Sequence, residues 1–91
     1  MALGFYFSPD SFSAATYDEC IRRLDQAGAA APPGRLYHSA FTVGDGIHVF
    51  DVWDSQESFE AFGKTLVPIM ADLGADPGTP SVHPIHNIIQ G

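Results

Sequence analysis

The stretch that decides the fold is RLYHSAFTVGDGIHVFDVWD, residues 35–54. Its two ends, 35–43 and 46–54, are rich in β-branched and aromatic residues, and Gly44-Asp45-Gly46 lies between them. A Gly/Asp cluster between two such runs is a strong β-hairpin signal. The stretch therefore predicts two antiparallel strands in the middle of the chain.

The position of the turn decides which side chains face each other across this hairpin. A turn at residues 44–45 places His38 opposite Asp51 and Leu36 opposite Trp53, whereas a turn one residue later places His38 opposite Trp53. In both registers alternate residues share one face, unless a bulge interrupts the pairing. That face is the more aliphatic one, so we expect it to lie beneath the helices. Its members are Leu36, His38, Ala40, Thr42, Ile47, Val49, Asp51 and Trp53.

The residues before the hairpin predict a strand and a helix. Residues 2–8 place Leu, Phe and Phe on one face of a strand. Residues 13–27 carry apolar side chains at helical spacing, and Ser13 is the predicted N-cap. Residues 28–34 contain two prolines, which predict a connecting loop because proline is unsuited to a helix interior.

The residues after the hairpin predict a second helix and a last strand. Asp54 is the predicted N-cap of this helix, and Gly74 is predicted to end it. Pro68 removes a helical hydrogen bond, so we expect it to kink the helix or divide it in two. Residues 81–89 predict a strand, in which Pro84 indicates an edge position or a first half that lies off the sheet.

The order strand, helix, strand, strand, helix, strand over residues 1–91 predicts one α+β domain. This βαββαβ order is that of the ferredoxin-like fold, a four-stranded antiparallel sheet with two helices on one face. The other face is left bare, and a large aromatic surface is unfavourable in water. We therefore expect two copies to pair through their sheets. The side chains expected on this face include Tyr6, Tyr37, Phe41 and Phe50.

Composition and charge exclude several classes of partner. The 91 residues contain 4 Lys and Arg but 11 Asp and Glu, so the net charge is −7. Nucleic acids and anionic membranes require a basic patch, and no apolar run approaches the length of a membrane-spanning helix. The single Cys cannot form an internal disulfide. We expect no nucleic-acid or membrane partner and, without a signal-peptide pattern, a cytoplasmic location.

Two segments carry a resemblance to a known superfamily. They are DVWDSQESFEAF at residues 51–62 and PIHN at residues 84–87. The first resembles the junction between the third strand and the second helix of dimeric α/β-barrel proteins, which include antibiotic-biosynthesis monooxygenase-like and stress-responsive A/B-barrel proteins. The resemblance implies a homodimer whose two sheets form one eight-stranded barrel. This fold supports several activities, so the activity has to be argued from the site.

The candidate catalytic residues are His38 and Asp51, a polar pair on an otherwise apolar face. A buried carboxylate is costly unless it is paired. An Asp51-oriented His38 could act as a general base on a substrate in an apolar pocket. The alternative is a structural pair that ties the two hairpin strands together.

The candidate substrate-binding residues lie on the second helix and at two strand ends. Trp53 could form a wall of the pocket or belong to the core, and Phe62 lies on the apolar stripe of the second helix. His86 or Asn87 could face the pocket, where an amide could polarise a substrate carbonyl. The alternative for both is an edge-strand role across a dimer interface.

The four histidines do not predict a metal site. His38 and His48 lie on different faces of the predicted hairpin, and His83 and His86 point to opposite sides of a strand. We therefore expect no metal and no cofactor, although a haem requires only one axial His.

The sequence leaves two functions open. The first is a small cofactor-independent enzyme that acts on an aromatic or polyketide-like molecule, as a monooxygenase, cyclase or isomerase. The second is a non-catalytic dimeric binding or scaffold protein.

Overall fold

The computed structural model describes residues 2–91 and contains six elements in the order that the sequence predicts. The elements are β1 (Leu3–Phe7), α1 (Ala14–Gln26), β2 (Arg35–Val43), β3 (Gly46–Trp53), α2 (Gln56–Asp72) and β4 (Ser81–Pro84). The strands form one four-stranded sheet in the order β2-β3-β1-β4, and every neighbouring pair is antiparallel. The predicted ferredoxin-like α+β fold is confirmed.

The hairpin of β2 and β3 uses the turn at residues 44–45. Val43 pairs with Gly46, and His38 therefore pairs with Asp51. Gly44 has a φ of 58°, a conformation that glycine adopts without a steric penalty. The first of the two predicted registers is thus confirmed over most of the hairpin.

The expected pairing of Leu36 with Trp53 is wrong, because a β-bulge interrupts β2. The pairing passes from Arg35 opposite Trp53 directly to Tyr37 opposite Val52. Leu36 is the extra residue, and it is 56% exposed. Arg35 takes the place opposite Trp53 that an unbroken register assigns to Leu36.

The helix starts differ in one case from the prediction. Ser13 caps α1 as expected, since its hydroxyl accepts from the backbone of Thr16 at 3.1 Å. The N-cap of α2 is Ser55 rather than Asp54, and its Oγ accepts from the backbone N–H of Ser58 at 3.2 Å. The Asp54 carboxylate instead accepts from the Ser55 hydroxyl at 3.1 Å.

Pro68 does not divide α2, which is continuous from Gln56 to Asp72. Pro68 is exposed, while Phe62 and Met70 on either side of it are buried in the core. Tertiary packing therefore holds the helix together across the missing hydrogen bond, since burial of an apolar face supplies most helical stability.

The last strand is shorter than predicted. β4 ends at Pro84, and one further backbone bond joins Ile85 to Ala2 at 2.9 Å. His86 and Asn87 lie beyond the strand and are exposed. Pro84 lacks an amide N–H, so it weakens the strand at the point where the prediction required it to continue.

The core lies between the sheet and the two helices. Phe5 and Trp53 are fully buried there. The opposite face carries exposed aromatic side chains as expected, since Tyr6, Tyr37 and Phe41 are 37%, 57% and 41% exposed. Across residues 2–91 the helices are too short or too polar for any of them to traverse a bilayer.

Candidate active site

A cavity of about 70 Å³ lies between the helix-facing side of the sheet and the two helices. Most of its walls are apolar side chains from β1, β3, α1 and α2. The hydrogen-bonding and charged groups that enter it come from Tyr17, Arg35, His38 and Asp51. These four side chains set the chemistry that the cavity can support.

The hairpin register brings His38 and Asp51 together. His38 Nδ1 lies 2.5 Å from Asp51 Oδ1, and Asp51 is only 5% exposed. The second carboxylate oxygen, Oδ2, accepts from the indole N–H of Trp53 at 3.3 Å. Both oxygens of the buried carboxylate therefore have donors, which is the condition under which a buried charge is tolerated.

Tyr17 extends this pair into a chain of hydrogen bonds. Its hydroxyl lies 2.7 Å from His38 Nε2. Because an ionised carboxylate can only accept, Nδ1 carries the ring proton, and Nε2 of a neutral His38 accepts from the Tyr17 hydroxyl. In the neutral form of His38 the donor order is thus Tyr17 to His38 to Asp51, with Trp53 as a second donor to Asp51.

The environment keeps the proton on Tyr17. Burial raises the pKa of the Tyr17 phenol, and the negative charge of Asp51 raises it further, while the positive charge of Arg35 acts in the opposite direction. A phenol that stays protonated is a hydrogen-bond donor to a neutral imidazole. Tyr17 therefore serves as the link between His38 and any molecule in the cavity.

Tyr17 is the functional candidate that sequence reasoning missed. Its position fits the apolar stripe of α1 together with Cys20 and Leu24, which are buried. The hydroxyl on this stripe is the only signal in the sequence. It is a weak signal, because most tyrosines at such positions are core residues. Only the packing of α1 across the sheet shows that this hydroxyl meets His38.

The predicted substrate-binding residues occupy three different environments. Phe62 lines the cavity, as a wall residue must. Trp53 is fully buried and does not line the cavity; its indole N–H donates a hydrogen bond to Asp51. His86 and Asn87 lie on the exposed C-terminal segment, away from the cavity walls.

The bulge in β2 brings Arg35 into the site. Its guanidinium lies over the ring of Phe62, 5.9 Å from the ring centroid, and its Nη2 donates to the carbonyl of Ala30 at 2.8 Å. An arginine over an aromatic face is held by a cation–π contact. The bulge therefore places a cation beside the polar chain of Tyr17, His38 and Asp51.

Cys20 also lines the cavity, as a buried and protonated thiol. Burial raises its pKa, although the nearby charge of Arg23 acts in the opposite direction. A thiol with a raised pKa is a poor nucleophile, because the thiolate is the reactive form. Cys20 is therefore a wall of the cavity.

The other histidines do not assemble a metal centre within residues 2–91. No group of three or more potential ligand side chains occurs there. His48 lies on the open face of the sheet, where its Nδ1 is 2.8 Å from the Tyr6 hydroxyl. It is thus separated by the sheet from His38, as the hairpin register predicts.

Comparison with known proteins identifies the fold. No family model and no curated protein sequence matches this chain. Solved structures do match it. One of them is SnoaB of Streptomyces nogalater, a cofactor-independent oxygenase. It is 16% identical in sequence, with a TM-score of 0.63 over 99% of this chain and 96% of that chain.

Two further neighbours agree with this result. A candidate antibiotic biosynthesis monooxygenase from Chloroflexus aurantiacus is 22% identical, with a TM-score of 0.59 over 99% of this chain and 97% of that chain. The monooxygenase ActVA-Orf6 of Streptomyces coelicolor, solved with nanaomycin D, is 17% identical, with a TM-score of 0.52 over 99% of this chain and 91% of that chain. The chain therefore shares the ferredoxin-like fold of these solved structures, as its sequence predicts.

Proposed function

We propose that this protein is a small cofactor-independent enzyme that removes a proton from carbon in an aromatic or polyketide-like molecule. The observation that carries the proposal is the hydrogen-bonded chain of Tyr17, His38 and Asp51 at the wall of an apolar cavity. A neutral imidazole held by a buried carboxylate is a standard arrangement for general-base catalysis. Two structural neighbours are named a cofactor-independent oxygenase and a monooxygenase, which supports an oxygenase form of this reaction.

The proton would move along the hydrogen bonds that join Tyr17, His38 and Asp51. As the substrate C–H bond breaks, its proton passes to the Tyr17 oxygen, and the phenolic proton passes to Nε2 of His38. The resulting imidazolium lies 2.5 Å from a carboxylate oxygen of Asp51, which stabilises its charge. The electron pair of the C–H bond stays on the substrate as a carbanion that is delocalised through the aromatic rings into a conjugated carbonyl.

In the oxygenase form of the reaction, this carbanion is oxidised by dioxygen. A CH₂ group flanked by aromatic rings becomes a carbonyl, one oxygen atom enters the product and the other leaves as water. An isomerase or cyclase would use the same proton transfer without consuming oxygen. The proton transfer is therefore the step that the site residues must explain in every case.

Anthrone, a tricyclic aromatic ketone with an acidic CH₂ group, tests the proposal. We expect oxygen uptake and anthraquinone formation by the wild type, and a loss of about 100-fold or more in kcat/KM for His38→Ala, the scale of general-base catalysis. His48→Ala is the matched control, because His48 lies on the other face of the sheet. Equal turnover by His38→Ala and the wild type would contradict the proposal, and proton exchange without oxygen uptake would identify the isomerase or cyclase form.

The size of the cavity favours a second candidate, a non-catalytic binding protein. Its volume of about 70 Å³ is below the roughly 300–1,000 Å³ of common small-molecule sites. A large substrate would therefore require the walls to move. Incubation of anthrone in deuterated buffer separates the two functions: binding with no C–H exchange above the His38→Ala background indicates the binding protein.

We propose further that the protein is a homodimer paired through the open faces of its sheets. Tyr6 and Phe41 lie on this face with ring centroids 6.1 Å apart, and both are exposed. Burying such a patch is favourable in proportion to its apolar area. Sedimentation should give a dimer for the wild type and for Val67→Glu on the exposed side of α2, but a monomer for Phe41→Glu; a monomeric wild type would contradict the proposal.

A cytoplasmic location is part of the same proposal. The free thiol of Cys20 is suited to a reducing compartment, where unpaired cysteines are stable. Fractionation of the native host should place the protein with the cytoplasmic fraction, and recovery from another compartment would contradict this assignment.

A further inference from the structure

The cavity contains one cationic side chain, Arg35, among the residues 2–91 that line it. Its position depends on the bulge at Leu36, which moves Arg35 onto the helix-facing side of the sheet, opposite Trp53. Had the register continued unbroken, Leu36 would face the helices and Arg35 would lie on the open face. The local sheet irregularity thus puts a charge into an otherwise apolar wall.

The guanidinium of Arg35 has unused hydrogen-bonding capacity. Arg22 and Arg23 both pair with Glu19 on the surface, whereas the ion pairs among residues 2–91 do not include Arg35. The hydrogen bond that its side chain makes within this part of the chain goes to the backbone carbonyl of Ala30. A guanidinium presents five N–H donors, so several remain for a ligand.

Among residues 2–91, the carboxylate at the cavity wall is that of Asp51, and it already has hydrogen-bond partners. Asp51 accepts from His38 and Trp53 with its two oxygens, and its recorded ion pair is with His38 instead of Arg35. The charge of Arg35 nevertheless acts at the site, because it opposes the rise in the pKa of Tyr17 that burial and Asp51 produce. Within residues 2–91 the site therefore holds a positive charge without an anionic partner beside the proton-transfer chain.

We infer that Arg35 binds an anionic oxygen of the substrate, a carboxylate or phenolate carried on an aromatic ring. Arginine recognises a carboxylate through two parallel N–H···O bonds, and the cation–π contact with Phe62 holds the guanidinium at the cavity wall. The apolar walls accept the ring. This inference rests on the proposed function and narrows its substrate class from aromatic molecules to aromatic acids.

The distance along the strand agrees with this role. Arg35 and His38 pair with Trp53 and Asp51, which are two residues apart on β3. Side chains two residues apart on a strand lie on one face, about 7 Å from each other. A single substrate ring spans such a distance, so one molecule can meet the guanidinium with its anionic group while a C–H bond faces the proton-transfer chain.

Phenylacetate and phenylacetamide provide a direct test, because they have nearly the same shape and differ in charge at neutral pH. Chemical-shift titration of the ¹⁵N-labelled protein should give tighter binding of phenylacetate, with shifts at the Arg35 side chain. Arg35→Gln should weaken phenylacetate binding by about 10- to 100-fold and leave phenylacetamide unchanged, the effect expected of charge-assisted hydrogen bonds. Arg22→Gln is the surface control and should bind both as the wild type does.

The outcomes separate this inference from the proposed function. The role of Arg35 is overturned if the wild type binds phenylacetate no more tightly than phenylacetamide. It is also overturned if Arg35→Gln binds phenylacetate as tightly as the wild type does. Both results hold whatever the anthrone assay gives. If Arg35→Gln does not fold, Arg35→Lys takes its place and should retain a preference for the anion with reduced affinity. Arg35-dependent binding together with unaltered turnover by His38→Ala leaves the binding role intact and removes the proposed base.

Discussion

Replacement of Asp51 by Asn tests the hydrogen-bonded chain that organises the site. The substitution keeps the shape of the side chain but exchanges one acceptor oxygen for an NH₂ donor. In the native protein both oxygens accept, one from His38 Nδ1 at 2.5 Å and one from Trp53 Nε1 at 3.3 Å. In one orientation the introduced NH₂ faces the indole N–H of Trp53, so that two donors meet. In the other orientation it faces His38 Nδ1, which can accept only after the imidazole ring has changed to its other tautomer.

The size of the effect follows from burial. Asp51 is 5% exposed and Trp53 is fully buried, so water cannot replace the charged acceptor that the substitution removes. A hydrogen bond to a charged group contributes about 1.5–3 kcal/mol, and a buried donor without a partner costs about 1–3 kcal/mol. Removing the desolvation cost of the carboxylate offsets part of this, and we expect the free energy of unfolding to fall by about 2 kcal/mol. For a domain of this size, that corresponds to a decrease in Tm of about 8–16 °C.

Urea denaturation gives the measurement, with Trp53, the only tryptophan, as the fluorescent probe. Asp45→Asn is the matched control, because Asp45 lies exposed in the hairpin turn. A surface substitution of this kind changes stability by no more than about 0.5 kcal/mol. The indole N–H resonance of Trp53 should shift in Asp51→Asn and stay unchanged in the control.

Equal stability of Asp51→Asn and Asp45→Asn, with an unshifted indole resonance, would refute the reasoning. It would mean that the carboxylate does not hold Trp53 and His38 in solution. A loss of stability without a change at the indole would assign the whole effect to the bond between Asp51 and His38.

Two further substitutions test the electrostatics and the packing of the fold. The pKa of Glu19 is lowered to about 2 from an ordinary 4.5 by hydrogen bonds from Arg22 and Arg23, so its contribution to stability is complete above about pH 4.5 and is lost as the pH falls towards 2. The stability advantage of the wild type over Glu19→Gln should disappear across that range in acid titrations followed by circular dichroism, and an advantage that persists at pH 2 would contradict the assignment. Gly34→Ala should destabilise the protein by more than Gly28→Ala, about 2 kcal/mol against about 1, since both have positive φ but only at residue 34 would a new Cβ lie 2.4 Å from Ser58 Cβ. Equal losses in urea denaturation would show that backbone strain alone decides both positions.

The sequence predicted the element order because its signals are local. Alternating and helical hydrophobic patterns, a Gly/Asp turn and a serine cap act over a few residues, and no distant contact was required to interpret them. The same patterns left two hairpin registers open and placed His38 and Asp51 on one face in both. The structure has the register in which these two residues pair. The predicted N-cap of α2, Asp54, is wrong by one residue, because the adjacent Ser55 is an equally good capping residue.

The errors arose where tertiary contacts compete with local preference. Pro68 leaves α2 undivided because the buried residues on either side hold the helix against the sheet. The bulge at Leu36 breaks an alternation that the sequence alone would continue. Each outcome depends on partners that are remote in the chain.

The sequence by itself determined the ferredoxin-like fold, the bare aromatic face and the common face of His38 and Asp51, since these follow from periodicity and from the presence of a hairpin. Only the tertiary structure decided that Tyr17 completes the chain of hydrogen bonds, that Trp53 supports Asp51 from behind, and that Arg35 enters the cavity. Those three positions are set by how α1 packs on the sheet and by one bulge in β2. Neither feature leaves a local pattern in the sequence, because both are settled by the packing of segments that meet only in the folded chain.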